Sequence, residues 1–114
     1  MRIVDREEFL KLPPNTIYAK YESYRFEKLQ IKNETSIKLE EGVQDFWYQE
    51  LFEVNAKDPI ERSSILDTAE NIDLIFGLGF NCEQKDSRSD NEKKYAIFDK
   101  TEIAGLIKRL AECI

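Results

Sequence analysis

The sequence predicts an α+β fold: a small antiparallel sheet packed with a short N-terminal helix, a middle helix and a C-terminal helix. Residues 17–23 alternate between apolar and polar side chains, which is the period of a strand. Residues 94–114 contain the clearest helical pattern, with apolar side chains three and four positions apart. Since 114 residues is a common length for one domain, we expect a single domain over residues 1–114.

The C-terminal segment is the element on which we expect the rest of the chain to pack. An apolar run at residues 95–98 predicts a strand, and the pair Asp99 and Glu102 is typical of the capped start of a helix. The apolar face of that helix carries Ile103, Leu106, Ile107, Leu110 and Ile114.

Similar capping pairs predict where the other two helices begin. Asp5 and Glu8 precede a short helix that the proline pair at 13–14 ends, because proline cannot continue the hydrogen-bond ladder. Asp58 and Glu61 precede a middle helix that extends to about residue 71.

The remaining segments predict strands and loops. Residues 29–32 can pair with residues 17–23 as a hairpin, and residues 33–36 are typical of a turn. Residues 46–54 fit either a strand or a helix, and their aromatic residues favour the strand. Residues 73–80 predict a loop or a short strand. Residues 81–94 are the most polar stretch and predict a surface loop, either solvated or in contact with a ligand.

Composition narrows the function classes. The formal charge of −6 argues against broad nucleic-acid binding, which needs a basic surface. The sequence has no histidine, the commonest general acid–base group and metal ligand. Gly77 and Gly79 lack a phosphate-loop pattern, and Cys82 lacks a CxxC partner, so we expect no cofactor. Seven Phe, five Tyr and one Trp are many for this length and suggest an interface.

Cysteine usage and hydropathy predict the compartment. Cys82 and Cys113 are the only cysteines, and we expect both to be reduced and buried. The first residues are charged, and no apolar run approaches the length that spans a membrane. We therefore expect a cytoplasmic protein.

Arg109 is the cation of greatest interest. It lies at the edge of the apolar helix face, beside Leu106 and Cys113. Two interpretations stay open: a surface arginine whose stem covers apolar neighbours, and a half-buried guanidinium that grips a phosphate or carboxylate.

Aromatic residues interleave with cations in the first hairpin. This group can pack on a sheet face, or it can stack bases and contact phosphates. Its members are Tyr18, Tyr21, Tyr24, Arg25, Phe26 and Lys28. Phe80 and Phe98 flank the polar loop and could supply a further aromatic platform.

The polar loop also contains a possible cation site. Asp86 and Asp90 straddle Arg88, which fits either a divalent-metal site or a solvated acidic loop.

Three segments of the chain resemble a set of small phage-encoded proteins. They are REEFLKLPPNTIYAKY at residues 6–21, DFWYQEL at residues 45–51, and a C-terminal pair, YAIF at 95–98 with LIKRL at 106–110. On these segments the chain is similar to the first class of the Thoeris anti-defence sponge family. The resemblance covers most of the chain and includes no catalytic motif.

The resemblance implies a non-enzymatic protein that sequesters the cyclic ADP-ribose isomers, such as glycocyclic ADP-ribose, made by bacterial TIR-domain proteins as immune signals. It implies oligomers built from dimers, with ligand pockets between protomers, in an infected bacterial host. Related members also bind cyclic oligonucleotides. Neither DNA, RNA nor a membrane is an expected partner.

The resemblance also implies which residues form the pocket. Arg109 matches a pocket arginine, Asn91 and Phe80 match an asparagine and an aromatic residue, and Lys28 stands in place of an arginine. The other candidates for the ligand-binding set are Phe98, Arg25, Arg88 and Asp90.

Two other function classes fit the residues. An acidic inhibitor of a host defence enzyme would use the charge of −6 and the surplus aromatics, and would form a stable protein complex without small-molecule binding. A nucleotide-cleaving enzyme would use carboxylates or cysteine, and would show metal-dependent turnover.

Overall fold

A six-stranded antiparallel sheet organises the molecule in a computed structural model that describes residues 1–36, 44–86 and 93–114. The elements are, in chain order, β1 (Arg2–Asp5), α1 (Arg6–Leu10), β2 (Thr16–Glu22), β3 (Arg25–Thr35), β4 (Phe46–Glu50), β5 (Glu53–Val54), α2 (Pro59–Asn71), β6 (Leu78–Gly79), β7 (Cys82–Asp86), β8 (Lys94–Ile97) and α3 (Lys100–Ala111). The sheet order is β1-β8-β2-β3-β4-β7, and β5 pairs with β6 as a separate ribbon. The α+β prediction is confirmed.

Strand β8 occupies an interior position in the sheet although it lies near the end of the sequence. It pairs with β1 in the register Arg2↔Ile97 and with β2 in the register Tyr18↔Ile97. The predicted hairpin is also present, because β2 pairs with β3 in the register Ile17↔Ile31. The apolar run at 95–98 was therefore correctly predicted as a strand around which neighbouring strands assemble.

The core lies between α1 and one face of the sheet, called here the inner face. Phe9 of α1 is fully buried, and its ring stacks on Tyr95 with centroids 4.0 Å apart and planes 6° apart. The same ring lies 4.7 Å from Tyr18 and 5.0 Å from Phe46. Four buried rings from α1, β2, β4 and β8 therefore hold the N-terminal helix against the sheet.

All three predicted helix caps are present. In each, an Asp carboxylate at the N-cap accepts a hydrogen bond from the backbone amide three residues later, which satisfies an otherwise unpaired donor. The distances are 2.8 Å for Asp5 and Glu8, 2.7 Å for Asp58 and Glu61, and 3.0 Å for Asp99 and Glu102.

Several sequence-based boundaries were wrong. The predicted turn at 33–36 is mostly strand, because β3 continues to Thr35. Residues 46–54 do not form one strand, since β4 ends at Glu50 and β5 pairs in the other ribbon. The polar stretch at 81–94 is not simply a loop: Cys82–Asp86 pairs with β4 as an edge strand, and Lys94 begins β8. Strand β1 was not predicted.

The expectation that the chain packs on the C-terminal helix was wrong. Neither α2 nor α3 contains a buried residue, and the apolar face of α3 is largely exposed, with Ile107 62% and Leu110 55% accessible. The radius of gyration is 16.4 Å, whereas a compact chain of this length has about 13 Å. These helices project from the sheet instead of completing its core.

A second protruding region joins β4 to β7. Residues 51–81, called here the excursion, contain β5, α2 and β6 and leave many apolar side chains exposed. Those more than half exposed are Phe52, Ile60, Ile72, Ile75 and Phe80. No helix in the described part of the chain is long and apolar enough to cross a membrane.

The two thiols are free, but the expected burial was wrong. Cys82 is partly exposed in edge strand β7, and Cys113 is exposed beyond the end of α3.

Candidate binding site

The structure separates the predicted site residues into several places. Arg88, Asp90 and Asn91 lie outside the described residues. The other five are on four different elements or connections: Arg25 and Lys28 on β3, Phe80 on the excursion, Phe98 between β8 and α3, and Arg109 near the end of α3.

Arg109 is exposed, and the prediction of a half-buried guanidinium was wrong. Its side chain is 71% accessible, with Nη1 3.8 Å from Glu112 and donating to the Cys113 sulfur over 3.4 Å. An exposed ion pair of this kind contributes little energy and holds the side chain weakly. The guanidinium is therefore available to an incoming anion, and its part in ligand binding stays a prediction.

Phe98 belongs to a row of three rings, called here the aromatic strip. Its ring contacts Phe26 with centroids 6.3 Å apart, and Phe26 contacts Tyr21 at 5.5 Å. Phe26 is 51% exposed. The strip therefore offers a ring surface to solvent, at the place where β2, β3 and the start of α3 come together.

The predicted aromatic group of the first hairpin divides between core and surface. Tyr18 is fully buried on the inner face and cannot contact a ligand on the strip, which corrects its place in the patch. Tyr24 is 94% exposed at the hairpin tip. Tyr18 and Tyr21 lie three positions apart on β2 and therefore face opposite sides of the sheet, whereas Tyr24 is exposed because it lies in the turn after β2.

The hairpin tip presents its side chains through an unusual backbone. Ser23 has φ 51° and Tyr24 has φ 65°, the positive values that the two central residues of a type I′ turn require. Glycine or asparagine usually fills such positions, because a larger side chain there costs on the order of 1 kcal/mol. Arg25 follows directly, is exposed, and has no ion-pair partner among the described residues.

Lys28 is a weaker candidate than predicted. Its ammonium lies 3.0 Å from the carboxylate of Glu50, which is itself buried. A phosphate at this place would have to compete with that carboxylate, so Lys28 chiefly balances the charge of Glu50.

Phe80 does not lie on the aromatic strip. It is 61% exposed on the excursion and contacts Phe52 edge to face, with centroids 6.1 Å apart. The described residues of one chain therefore show two separate aromatic surfaces, and of the two predicted platforms Phe98 is the one that contacts the hairpin, through Phe26.

A groove beside Phe98 includes one of the predicted residues in its lining. It has a volume of about 290 Å³ and lies between α3 and the face of the sheet opposite the core, called here the outer face. This α3 groove is lined by Asn15, Ile17, Phe98, Asp99, Lys100, Ile103, Ala104 and Ile107. Apolar side chains form most of its wall, and one cation and one carboxylate stand at the start of α3.

The start of α3 is also an electrostatic centre. The Met1 amine pairs with Glu102 and lies 3.7 Å from Asp99. Hydrogen bonding to Glu102 raises the pKa of that amine, and the hydrogen bonds at this cap lower the pKa of Asp99, first through the Glu102 side chain. The carboxylate of Asp99 is therefore ionised at neutral pH.

Arg109 and Phe98 lie near opposite ends of α3. Ten residues of helix separate Asp99 from Arg109, a distance of roughly 15 Å along the axis at 1.5 Å per residue. The last groove residue is Ile107, so Arg109 lies beyond the end of the groove that is far from Phe98.

The possible metal site at Asp86 is not supported. Asp86 is buried, and Lys20 donates its ammonium to it over 2.8 Å, so its charge is already balanced. The other carboxylate of the predicted pair, Asp90, lies outside the described residues. Within the described ranges, no group of three or more potential ligands is placed to hold a metal.

Buried polar residues on the inner face were missed. Lys32 is 1% exposed and donates to Leu12 O, Asn33 O and Thr35 Oγ1 over 2.8–3.0 Å. Burial lowers its pKa. The hydroxyl of Tyr18 has no hydrogen-bond partner in the described residues, and burial raises its pKa, so it stays protonated. Sequence periodicity assigns polar side chains to the surface, so it does not predict polar groups that are buried on the inner face.

Comparison with protein-family models, curated proteins and solved structures finds no match for this chain.

Proposed function

We propose that the chain is a phage-encoded sponge that binds a cyclic ADP-ribose isomer and holds it without converting it. Sequestration of this signal would block Thoeris immunity in the cytoplasm of an infected bacterium. The observation that carries the proposal is the aromatic strip beside the α3 groove, three contacting rings with Phe26 about half exposed. Nucleobases stack on such rings with little regard to sequence.

Cations flank this ring surface. Lys100 lines the groove, and Arg25 stands at the tip of the hairpin that carries Phe26. Neither has an ion-pair partner among the described residues, so both are open to a pyrophosphate. Asn15 and the ionised Asp99 line the same groove and can accept hydrogen bonds from ribose hydroxyls.

The exposed helix face supports a pocket shared between chains. Ile107 and Leu110 of α3 are more than half accessible, and burying them gains roughly 25 cal/mol for each Å² removed from water. A second copy packed on α3 would cover them and would carry its own Arg109 towards the groove of its neighbour. This arrangement agrees with the homo-oligomer built from dimers that the resemblance implies.

The sequence supports binding without turnover. The chain has no histidine, and the candidate groove pairs rings with cations, a combination suited to holding a charged nucleotide. Cyclic oligonucleotides present the same bases and phosphates, so they are proposed as further ligands of the same surface.

The test is native mass spectrometry of the protein mixed with purified cyclic ADP-ribose isomers, followed by heat release and chromatography of the ligand. We expect a ligand-bearing oligomer and recovery of intact ligand. Recovery of a hydrolysed product would show that the protein cleaves the ligand and does not sequester it. Absence of binding for every isomer would reject the proposal.

Arg109→Ala tests whether the exposed guanidinium contacts the ligand. We expect affinity to fall at least tenfold with the fold retained, because an arginine–phosphate contact contributes about 1.5–3 kcal/mol. The matched control is Lys108→Ala, which removes a positive charge from the neighbouring position of α3. Isothermal titration and circular dichroism measure the two properties. Equal losses in both variants would mean that only net charge matters.

A second candidate function is a protein-binding inhibitor of a host defence enzyme. The exposed apolar residues of the excursion favour it, since Ile75 is 95% and Ile60 82% accessible without a covering element among the described residues. A stable complex with a host protein, formed equally well with or without cyclic ADP-ribose, would favour this function over the first.

A further inference from the structure

A second cavity lies on the outer face of the sheet, around the single tryptophan of the chain. It has a volume of about 320 Å³ and is lined by Pro14, Asn15, Asn33, Glu34, Trp47 and Glu83. This Trp47 pocket shares only Asn15 with the α3 groove and takes no part in the proposed function.

The ring of Trp47 is well placed to form a wall of this pocket. Strand β4 is interior to the sheet, yet Trp47 is 39% exposed, because its side chain faces away from the buried Phe46 beside it. The ring already engages one cation, since Lys85 Nζ lies 5.7 Å from its centroid. Tryptophan has the strongest attraction for cations of the aromatic side chains.

The lining offers more acceptors than donors, although the side-chain amides of Asn15 and Asn33 and the indole N–H of Trp47 can donate. The carboxylates of Glu34 and Glu83 can only accept, and Pro14 has no amide hydrogen. The backbone amide of Asn15 donates to Lys32 O over 2.7 Å, and the Asn33 side-chain amide donates to Glu83 over 3.0 Å. A ligand that satisfies this lining must bring several donors of its own.

The charge of the lining also favours a positively charged ligand. Neither Glu34 nor Glu83 has an ion-pair partner among the described residues. The nearby Lys85 is balanced by Asp45, 3.6 Å from its ammonium. Within the described ranges, the carboxylates of Glu34 and Glu83 therefore have no compensating cation of their own beside the indole ring.

We propose that the Trp47 pocket binds a guanidinium group, stacked on the indole of Trp47 and hydrogen-bonded to the carboxylates of Glu34 and Glu83. A guanidinium is planar, carries a permanent positive charge and presents five donors, which matches a flat ring beside two acceptors. A primary ammonium has the charge but lacks the plane. The guanidinium can belong to a small molecule or to an arginine side chain of a peptide.

The test uses the fluorescence of Trp47, which reports on its own surroundings without a label because no second tryptophan is present. The probes are agmatine, acetyl-Gly-Arg-Gly-amide and the same peptide with citrulline, the neutral isostere of arginine. We expect saturable changes with agmatine and the arginine peptide, weakened by added salt, and none with the citrulline peptide. Tighter binding of agmatine would identify a free small molecule as the source, and tighter binding of the peptide a protein-borne arginine.

Two variants test whether the change in Trp47 fluorescence comes from binding in the Trp47 pocket. Glu34→Gln and Glu83→Gln should each weaken guanidinium binding about tenfold, since each removes a charge-assisted hydrogen bond. The control Glu70→Gln makes the same charge change on the exposed surface of α2 and should leave affinity unchanged. Thermal unfolding confirms that all three variants fold. An equal response to citrulline, no saturable response to either guanidinium probe, or unchanged affinity in both pocket variants would each overturn the proposal.

Discussion

The N-terminal helix is more buried than its sequence pattern suggests, and the C-terminal helix is less buried. Helix α1 has only five residues, but its Phe9 is fully buried among three other rings. Helix α3 has twelve residues and the most regular apolar face, and yet none of its residues is buried. Burial in this molecule follows position against the inner face, and the regular apolar face of α3 is left largely exposed.

The largest effect is expected at the centre of the buried region. Phe9→Ala should lower the free energy of unfolding by about 3–5 kcal/mol, because it empties the space between Tyr18, Phe46 and Tyr95. Urea denaturation followed by circular dichroism measures the change. Leu110→Ala is the control on α3, and a loss as large in that variant would remove the contrast between the helices.

A smaller loss is expected from the buried cation. Lys32→Met should cost about 2–3 kcal/mol, because the carbonyls of Leu12 and Asn33 lose their donor while the methionine fills similar space. Denaturant midpoints of the two proteins give the value. A variant as stable as the parent would mean that Lys32 serves another purpose than holding α1 to β3.

The parent protein and the Lys32→Met variant should also differ in how their stability depends on pH. Burial lowers the pKa of Lys32, so between that value and about 10.4 the unfolded chain binds more protons than the folded one. Stability of the parent should therefore rise with pH across this window relative to Lys32→Met. An opposite slope would show that the folded state favours the charged form.

The attachment of α2 is expected to be weaker still. Arg62 donates to Glu53 over 2.6 Å, and this bond is the main cause of the lowered pKa of Glu53. Because Arg62 is 46% exposed, Glu53→Gln should cost at most about 1 kcal/mol. The pair contributes above the unfolded pKa of about 4.3 and is lost as pH falls through the lower folded value. Hydrogen exchange should accelerate a few-fold in α2 and remain unchanged in β2.

The smallest effect on unfolding is expected on the exposed face of α3. Ile107→Ser should change the free energy of unfolding by less than about 0.5 kcal/mol, since the side chain is already 62% accessible. Association should respond instead, and sedimentation equilibrium should show a lighter species than the parent. A parent protein that is monomeric at high concentration would contradict the role given to this face.

Local signals predicted much of the fold. The caps at Asp5, Asp58 and Asp99 were found because a side chain and an amide three residues apart suffice to form them. Strand β7 was missed because an edge strand needs no apolar alternation, and CEQKD has none.

The site was less predictable because it depends on which distant residues meet. Phe98 and Phe26 are far apart in the sequence and touch only because β8 inserts beside β2. For Arg109 the sequence left an exposed and a half-buried guanidinium open, since a helical period defines a face and does not say what covers it. Lys32 was missed because two of its three partners are backbone carbonyls, which every residue carries.

The place of β8 between β1 and β2 has a consequence for synthesis. The ribosome makes Phe9 first and Tyr95 long afterwards, although the two rings stack in the finished core. Until β8 has emerged, β1 has no neighbour in the sheet and α1 has an incomplete surface to pack on. A core closed by contacts this distant in sequence forms slowly compared with one built from neighbours. The nascent chain must therefore carry its unfinished apolar surface while all the residues between Phe9 and Tyr95 are synthesised.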